Sequence, residues 1–269
     1  MNEPADEAPV TVEHRGNLAV LRLNRPDTYN ALNLEMGDAL LEALVACDQD
    51  DAVRAVLLTG TGKAFCSGGD IREMRSFESP EGYAGGYLKR LTVRLHASLA
   101  TLLGMEKPVV TAVNGPAAGA GFSLALAGDM VMASEAASFT VAYTAIGLAP
   151  DGGSTYFLPR MVGPKRAFEL MATNRVLTPA DAMDLGIINR TAPADGFEAE
   201  AMALAQSLAD GPTRALGYTK RLLLSGQDGG VETAMEQERR AIAACGGTAD
   251  FVAGKAAFLA KSKAVFAGR

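Results

Sequence analysis

Residues 109–133 read VVTAVNGPAAGAGFSLALAGDMVMA. Val109 to Val113 is an apolar, mostly β-branched run, the spelling of a short buried strand. Asn114 to Gly121 (NGPAAGAG) holds only small residues and a proline, so a loop follows. Phe122 to Ala127 begins a helix, and Asp129 to Ala133 (DMVMA) is a second strand. Strand, glycine-rich loop, helix and strand in that order predict an α/β fold with crossover connections.

Upstream the same arrangement recurs. Asn17 to Asn24 alternates as a strand does and stops at the turn spelling Arg25-Pro26-Asp27. Leu34, Met36, Leu40, Leu41, Leu44 and Val45 return at helical spacing. Val53 to Thr59 is another buried strand, running into Gly60-Thr61-Gly62 and on to Ser67-Gly68-Gly69-Asp70. Residues 71–86 read as a mobile loop, with Ser76 to Gly86 expected to wall a pocket, and Leu88 to Leu103 as an amphipathic helix. Downstream, Thr178-Pro179-Ala180-Asp181 spells a helix start. From Gly196 onward helix formers dominate. The expected division is a flexible tail over 1–9, a mixed core over 10–195 and a helical region over 196–269.

Composition narrows the function. The chain has 269 residues, 25 Lys and Arg against 31 Asp and Glu, and no basic block, which excludes a site for bare nucleic acid. No apolar run of about 18 residues is present, so no membrane span is expected. The acidic opening MNEPADEAP reverses the order of a signal peptide. Three cysteines without metal-ligand spacing fit a reduced, cytoplasmic protein without metal. With only His14 and His96 available, both read as surface or packing residues, a Ser-His-Asp site is unsupported. Gly119-Ala120-Gly121 has Leu124 where a dinucleotide loop needs its third glycine, and no P-loop lysine motif occurs. What remains is two small-residue loops, each after a strand, able to present backbone N–H groups to an anion.

Six motifs in order resemble the crotonase (enoyl-CoA hydratase/isomerase) superfamily over almost the whole chain. They are Leu23-Asn24-Arg25-Pro26 with Asn30-Ala31-Leu32-Asn33, Gly62 to Ile71 (GKAFCSGGDI), Ala112 to Gly121 (AVNGPAAGAG), Gly147 to Gly153 (GLAPDGG), Leu158-Pro159-Arg160, and Ala257 to Lys263 (AFLAKSK). The resemblance implies a spiral of ββα units, a helical C-terminal region that builds a homotrimer or a hexamer made of two trimers, and an acyl-CoA thioester as substrate, with no separate cofactor. By motif position the thioester oxygen meets the backbone N–H groups of Gly69 and Ala120. Ala64, Ser67, Gly68, Asp70 and Ile71 match the stretch along the coenzyme, and Asn30 and Ala31 the first coenzyme-contacting loop. Arg25 and Lys63 are candidates for its phosphates. Apolar stripes at Leu204, Leu208, Leu222, Leu223, Phe258 and Val265 are more than a small subdomain buries alone, which also predicts assembly.

The departures decide the chemistry expected. Family hydratases use two Glu residues, and those positions hold Ser123 and Tyr143 here. Neither is a general base near neutral pH. Asp151 is the remaining carboxylate; read locally, Pro150-Asp151-Gly152-Gly153 is a turn, whereas double-bond isomerases, the ring-epoxide isomerase of phenylacetate breakdown and aromatic-acyl-CoA dehalogenases resemble this chain in carrying Asp there. The dehalogenase site leans on a Trp, and this chain has none. One carboxylate beside an oxyanion hole suits movement of a double bond, with the apolar Phe157 and Leu158 expected to close the pocket. The alternatives are a hydratase with altered acid and base groups and a catalytically silent protein that binds CoA esters.

Overall fold

The computed structural model describes residues 8–226 and 229–269, so most of the expected tail, residues 1–7, lies outside the described residues. Its strands are β1 (Val10–Arg15), β2 (Leu18–Leu23), β3 (Ala55–Gly60), β4 (Val109–Val113), β5 (Pro116–Ala118), β6 (Met130–Ser134), β7 (Ser138–Thr140) and β8 (Arg190–Ala192). The helices are α1 (Leu34–Gln49), α2 (Ile71–Arg75), α3 (Gly85–Gly104), α4 (Ala120–Leu126), α5 (Ser154–Val162), α6 (Pro164–Thr173) and α7 (Pro179–Asp184). Four more follow: α8 (Phe197–Ala209), α9 (Thr213–Ser225), α10 (Val231–Gly246) and α11 (Ala249–Leu259).

One sheet runs in the order β1-β2-β3-β4-β6-β8, antiparallel only at the β1–β2 hairpin. Every residue of β3 and β4 is buried, which is why these strands read as unbroken apolar runs. A core under α1 and α3 covers one face, and α8 covers the other through Phe197, Ala201, Leu204 and Ala205.

A second layer explains the repeating sequence pattern. β5 pairs in parallel with β7, and single-residue bridges join Leu32 to Gly69, Cys66 to Ala117 and Phe139 to Leu177. After each of β2, β3, β4 and β6 the chain therefore places one short segment in this layer before entering helix, which is the ββα repeat. The layers approach closely where α4 begins: a Cβ on Gly121 would lie 2.0 Å from the Cys66 carbonyl oxygen. Only glycine fits there.

Helix starts follow their spelling. The Asn33 side chain accepts from Met36 N–H, and Thr178 and Asp181 form a reciprocal capping box. Several expectations need correction. Ala8 and Pro9 are held by Asn24, so these two residues do not belong to a flexible tail. Residues 71–86 are not a continuous loop, because Asp70 caps α2 and α3 starts at Gly85. β1, β5, β7 and β8 add to the strands that the sequence pattern predicts; β5, β7 and β8 have three residues each, too short to show periodicity. Leu204 is buried and Leu208 packs on the chain's own sheet, so neither belongs to an unpartnered stripe.

The helical region docks through a buried cation. Lys220 Nζ lies 2.9 Å from Asp129 Oδ2 and donates to the Leu102 carbonyl at 2.6 Å, while Val109 N–H donates to the same carboxylate at 2.7 Å. Burial lowers the Lys220 amine and raises the Asp129 carboxyl from their ordinary ranges, each opposed by the other's charge. Lys220→Met leaves that carboxylate without its partner. Urea unfolding should show a loss of about 3 kcal/mol, the low end for a buried pair because part of Asp129 meets solvent.

Candidate active site

The first pocket-lining segments come from the second layer. Gly69 lies in its bridge to Leu32, with Leu32 N–H donating to Gly68 O at 2.7 Å and Asp70 N–H donating to Leu32 O at 2.8 Å. Those bonds use the groups on either side of Gly69 and leave its own N–H aimed the other way. Ala120 is the first residue of α4, after Gly119 at φ +53°, and a first-turn N–H has no partner inside its own helix. Among the described residues neither N–H donates to a protein acceptor. Both residues line one cavity of about 200 Å³, shared with Asp151, Tyr143 and Thr92.

Asp151 is held at both carboxylate oxygens. Tyr143 O–H donates to Oδ1 at 2.5 Å and Thr92 O–H to Oδ2 at 2.8 Å. Its carbonyl accepts from Ser123 Oγ at 2.9 Å and from Ser154 Oγ at 2.9 Å. Gly152 N–H donates to His96 Nε2 at 3.2 Å. Gly152 itself has φ +61°, and a Cβ there would sit 2.6 Å from Ser123 Cβ, so the turn closes only with glycine. Burial, reinforced by the Asp151 charge and the bond to it, pushes the Tyr143 phenol above its ordinary value. Tyr143 is thus a donor to Asp151 and not a base.

The apolar wall comes from Leu88, Leu91 and Leu95 of α3, with Met74, Ile146 and Leu148. Phe157 and Leu158 do not line it: Leu158 is fully buried in the core, and Phe157 faces a groove against the C-terminal helices. Residues 76–86 do not line it either. Among the described residues no three His, Cys, Asp or Glu side chains gather to hold a metal.

The expected site residues divide into three groups. Gly69, Ala120, Asp151 and Tyr143 meet in the cavity, with Ser67, Gly68 and Ile71 at its edge. Ser123 is fully buried and supports the Asp151 turn from behind. Asn30, Ala31, Ala64 and Asp70 are buried, so their side chains are structural. Asn30 accepts from Arg25 N–H and donates to the Thr61 and Ala64 carbonyls. Asp70 caps α2 and pairs with Arg25. Lys63 is exposed and lies outside the cavity. Two contributors escaped the sequence reading. Thr92 gave no signal, and His96, read as surface or packing, is exposed but fixes the Asp151 turn.

The family model for enoyl-CoA hydratase/isomerase matches residues 13–269. The chain belongs to that family. Relatives of this family member carry different activities in their names. It is 38% identical over 252 residues to 1,2-epoxyphenylacetyl-CoA isomerase of Escherichia coli K12, covering 93% of this chain and 94% of that protein. It is 34% identical to 4-chlorobenzoyl coenzyme A dehalogenase-2 of an Arthrobacter species, with 94% and 91% covered. It is 33% identical to crotonyl-CoA hydratase of Syntrophomonas wolfei, with 96% and 97% covered. The fold matches an enoyl-CoA hydratase structure from Polaromonas sp. JS666 at TM-score 0.89 and 32% identity, covering 96% of this chain and 99% of that one. The mixed α/β architecture with C-terminal helices is thus the crotonase-like one.

The Tyr143 environment has a measurable signature. The unfolded chain releases a tyrosine proton near pH 10, whereas the folded protein holds this one to higher pH. That preference contributes to stability below pH 10 and is lost as pH rises beyond it. A phenolate absorbance titration of wild type minus Tyr143→Phe should show no Tyr143 ionisation at pH 11 while the protein stays folded.

Proposed function

We propose that this enzyme shifts a double bond in an enoyl-CoA, with Asp151 as the proton carrier and the Gly69 and Ala120 N–H groups holding the enolate oxygen. The observation that carries the reading is the convergence of two unpartnered backbone donors and one carboxylate on a single apolar cavity. Asp151 removes a proton from the α-carbon of a 3-enoyl thioester. The electron pair moves toward the carbonyl oxygen, where preorganised donors stabilise the charge without reorganising. Asp151 then returns the proton to the γ-carbon, giving the 2-enoyl isomer with no net change in atoms. Tyr143 and Thr92 orient the carboxylate during both transfers.

Hydration requires a water held by a second acidic group. The positions expected to supply it carry Ser123, which is fully buried, and Tyr143, which donates to Asp151. This supports isomerisation over hydration, although relatives carry both names. The three free thiols support a reducing compartment such as the cytoplasm.

Asp151→Asn keeps the size of the side chain but cannot take a proton. It should lower turnover of a 3-enoyl-CoA by about 10²–10⁴-fold, the usual worth of a general base, with binding of the CoA ester retained. Isomerisation at the wild-type rate would reduce Asp151 to a turn residue. Faster hydration of a 2-enoyl-CoA than isomerisation by the wild type would favour the hydratase reading, and binding without turnover the silent one.

Assembly into a trimer or hexamer is part of the same proposal. Leu223 is 67% exposed, Ile242 74% and Phe258 83%, so α9, α10 and α11 each present a large apolar side chain to solvent, which supports a partner chain covering them. Light scattering at micromolar concentration should give the mass of three or six chains; a clean monomer contradicts it.

A further inference from the structure

We infer that Arg25 is a positioning residue for the Gly69 oxyanion donor and not a ligand for a coenzyme phosphate. This rests on the oxyanion role proposed above for Gly69. The Arg25 fork spans two segments at once: Nη1 donates to the Ala31 carbonyl at 2.5 Å, and Nη2 lies 2.9 Å from Asp70 Oδ2. These are the segments that the Leu32–Gly69 bridge joins, gripped one residue beyond it on each side. The other Asp70 oxygen accepts from Arg72 and Glu73 N–H at 3.1 Å each, which fixes the carboxylate against the start of α2. Backbone Arg25 N–H is in turn seated on Asn30 Oδ1 at 2.8 Å. Asp70 is buried and about a fifth of the Arg25 side chain is exposed, so the guanidinium is committed to a protein partner.

The geometry gives Arg25 leverage on one atom. Gly69 has no side chain to anchor it, and its N–H direction follows from the two backbone bonds to Leu32. A slip of that bridge rotates the donor away from the thioester oxygen. Lys cannot replace the fork, because a point charge does not hold a carbonyl and a carboxylate in fixed relative positions.

The test pairs two substrates with one spectroscopic readout. For Arg25→Met, kcat should fall about 10- to 100-fold, less than outright loss of an oxyanion donor, with KM changed little. The fold-loss should be the same for a 3-enoyl-CoA and for the matching pantetheine thioester, which lacks the nucleotide phosphates. In parallel, the carbonyl stretch of a bound ¹³C-labelled thioester should be shifted to lower frequency by wild type and less by the variant. A defect confined to KM and to the CoA ester, or a full wild-type carbonyl shift in Arg25→Met, overturns the proposal. If wild type itself produces no shift, the oxyanion reading fails and this inference with it. Should Arg25→Met not fold, Arg25→Lys decides: kcat and the carbonyl shift must fall together, and wild-type values for both overturn the proposal.

Discussion

Two backbone hydrogen bonds through Leu32, one to Gly68 O and one from Asp70 N–H, hold the segment on which the site depends. They are the outermost link of the second layer, which continues through Cys66–Ala117 and β5–β7. Because a strand's groups alternate in direction, satisfying Gly68 O and Asp70 N–H on one side leaves Gly69 N–H for the other. The same layer brings β5 to the start of α4 and so supplies the second donor, Ala120. The large sheet fixes where the layer lies. The layer fixes where the donors point.

Against that frame of backbone groups, the proposed acid-base chemistry rests on one side chain held from several directions. Thr92 on α3, Tyr143 after β7 and the Ser123 support from α4 converge on the Asp151 residue. Each comes from a different ββα turn, so the carboxylate is located by the fold and not by its own loop. Buried Ser123 serves the Asp151 turn as support, with its hydroxyl on the Asp151 carbonyl. Family membership describes the scaffold; the identity of the residues on it selects the reaction.

Much of this was legible from the chain. The repeat of strand, small-residue loop and helix announces the α/β fold, and the motif positions of Gly69, Ala120 and Asp151 line one cavity. The losses have physical causes. Thr92 stands 59 residues before Asp151, and a lone threonine on an amphipathic helix carries no local sign of a partner so far away. Ser123 looks available in sequence, but its fully buried hydroxyl is turned to the Gly119 and Asp151 carbonyls and does not line the cavity. Phe157 and Leu158 turn away from the cavity, because their direction depends on where α5 starts, at Ser154. Arg25 carries the charge of a phosphate ligand, yet its buried acidic partner is 45 residues away, in another loop.

The proposed reaction requires a carbanion next to the thioester, with its charge on the two N–H groups and its proton on Asp151. The most direct measurement is α-proton exchange of a saturated acyl-CoA in D2O, followed by mass or NMR. Such a substrate passes through the first half-reaction and cannot complete the isomerisation. Deuterium uptake at the α-carbon should require folded enzyme and disappear in Asp151→Asn. Exchange by Asp151→Asn at the wild-type rate would contradict this role for Asp151.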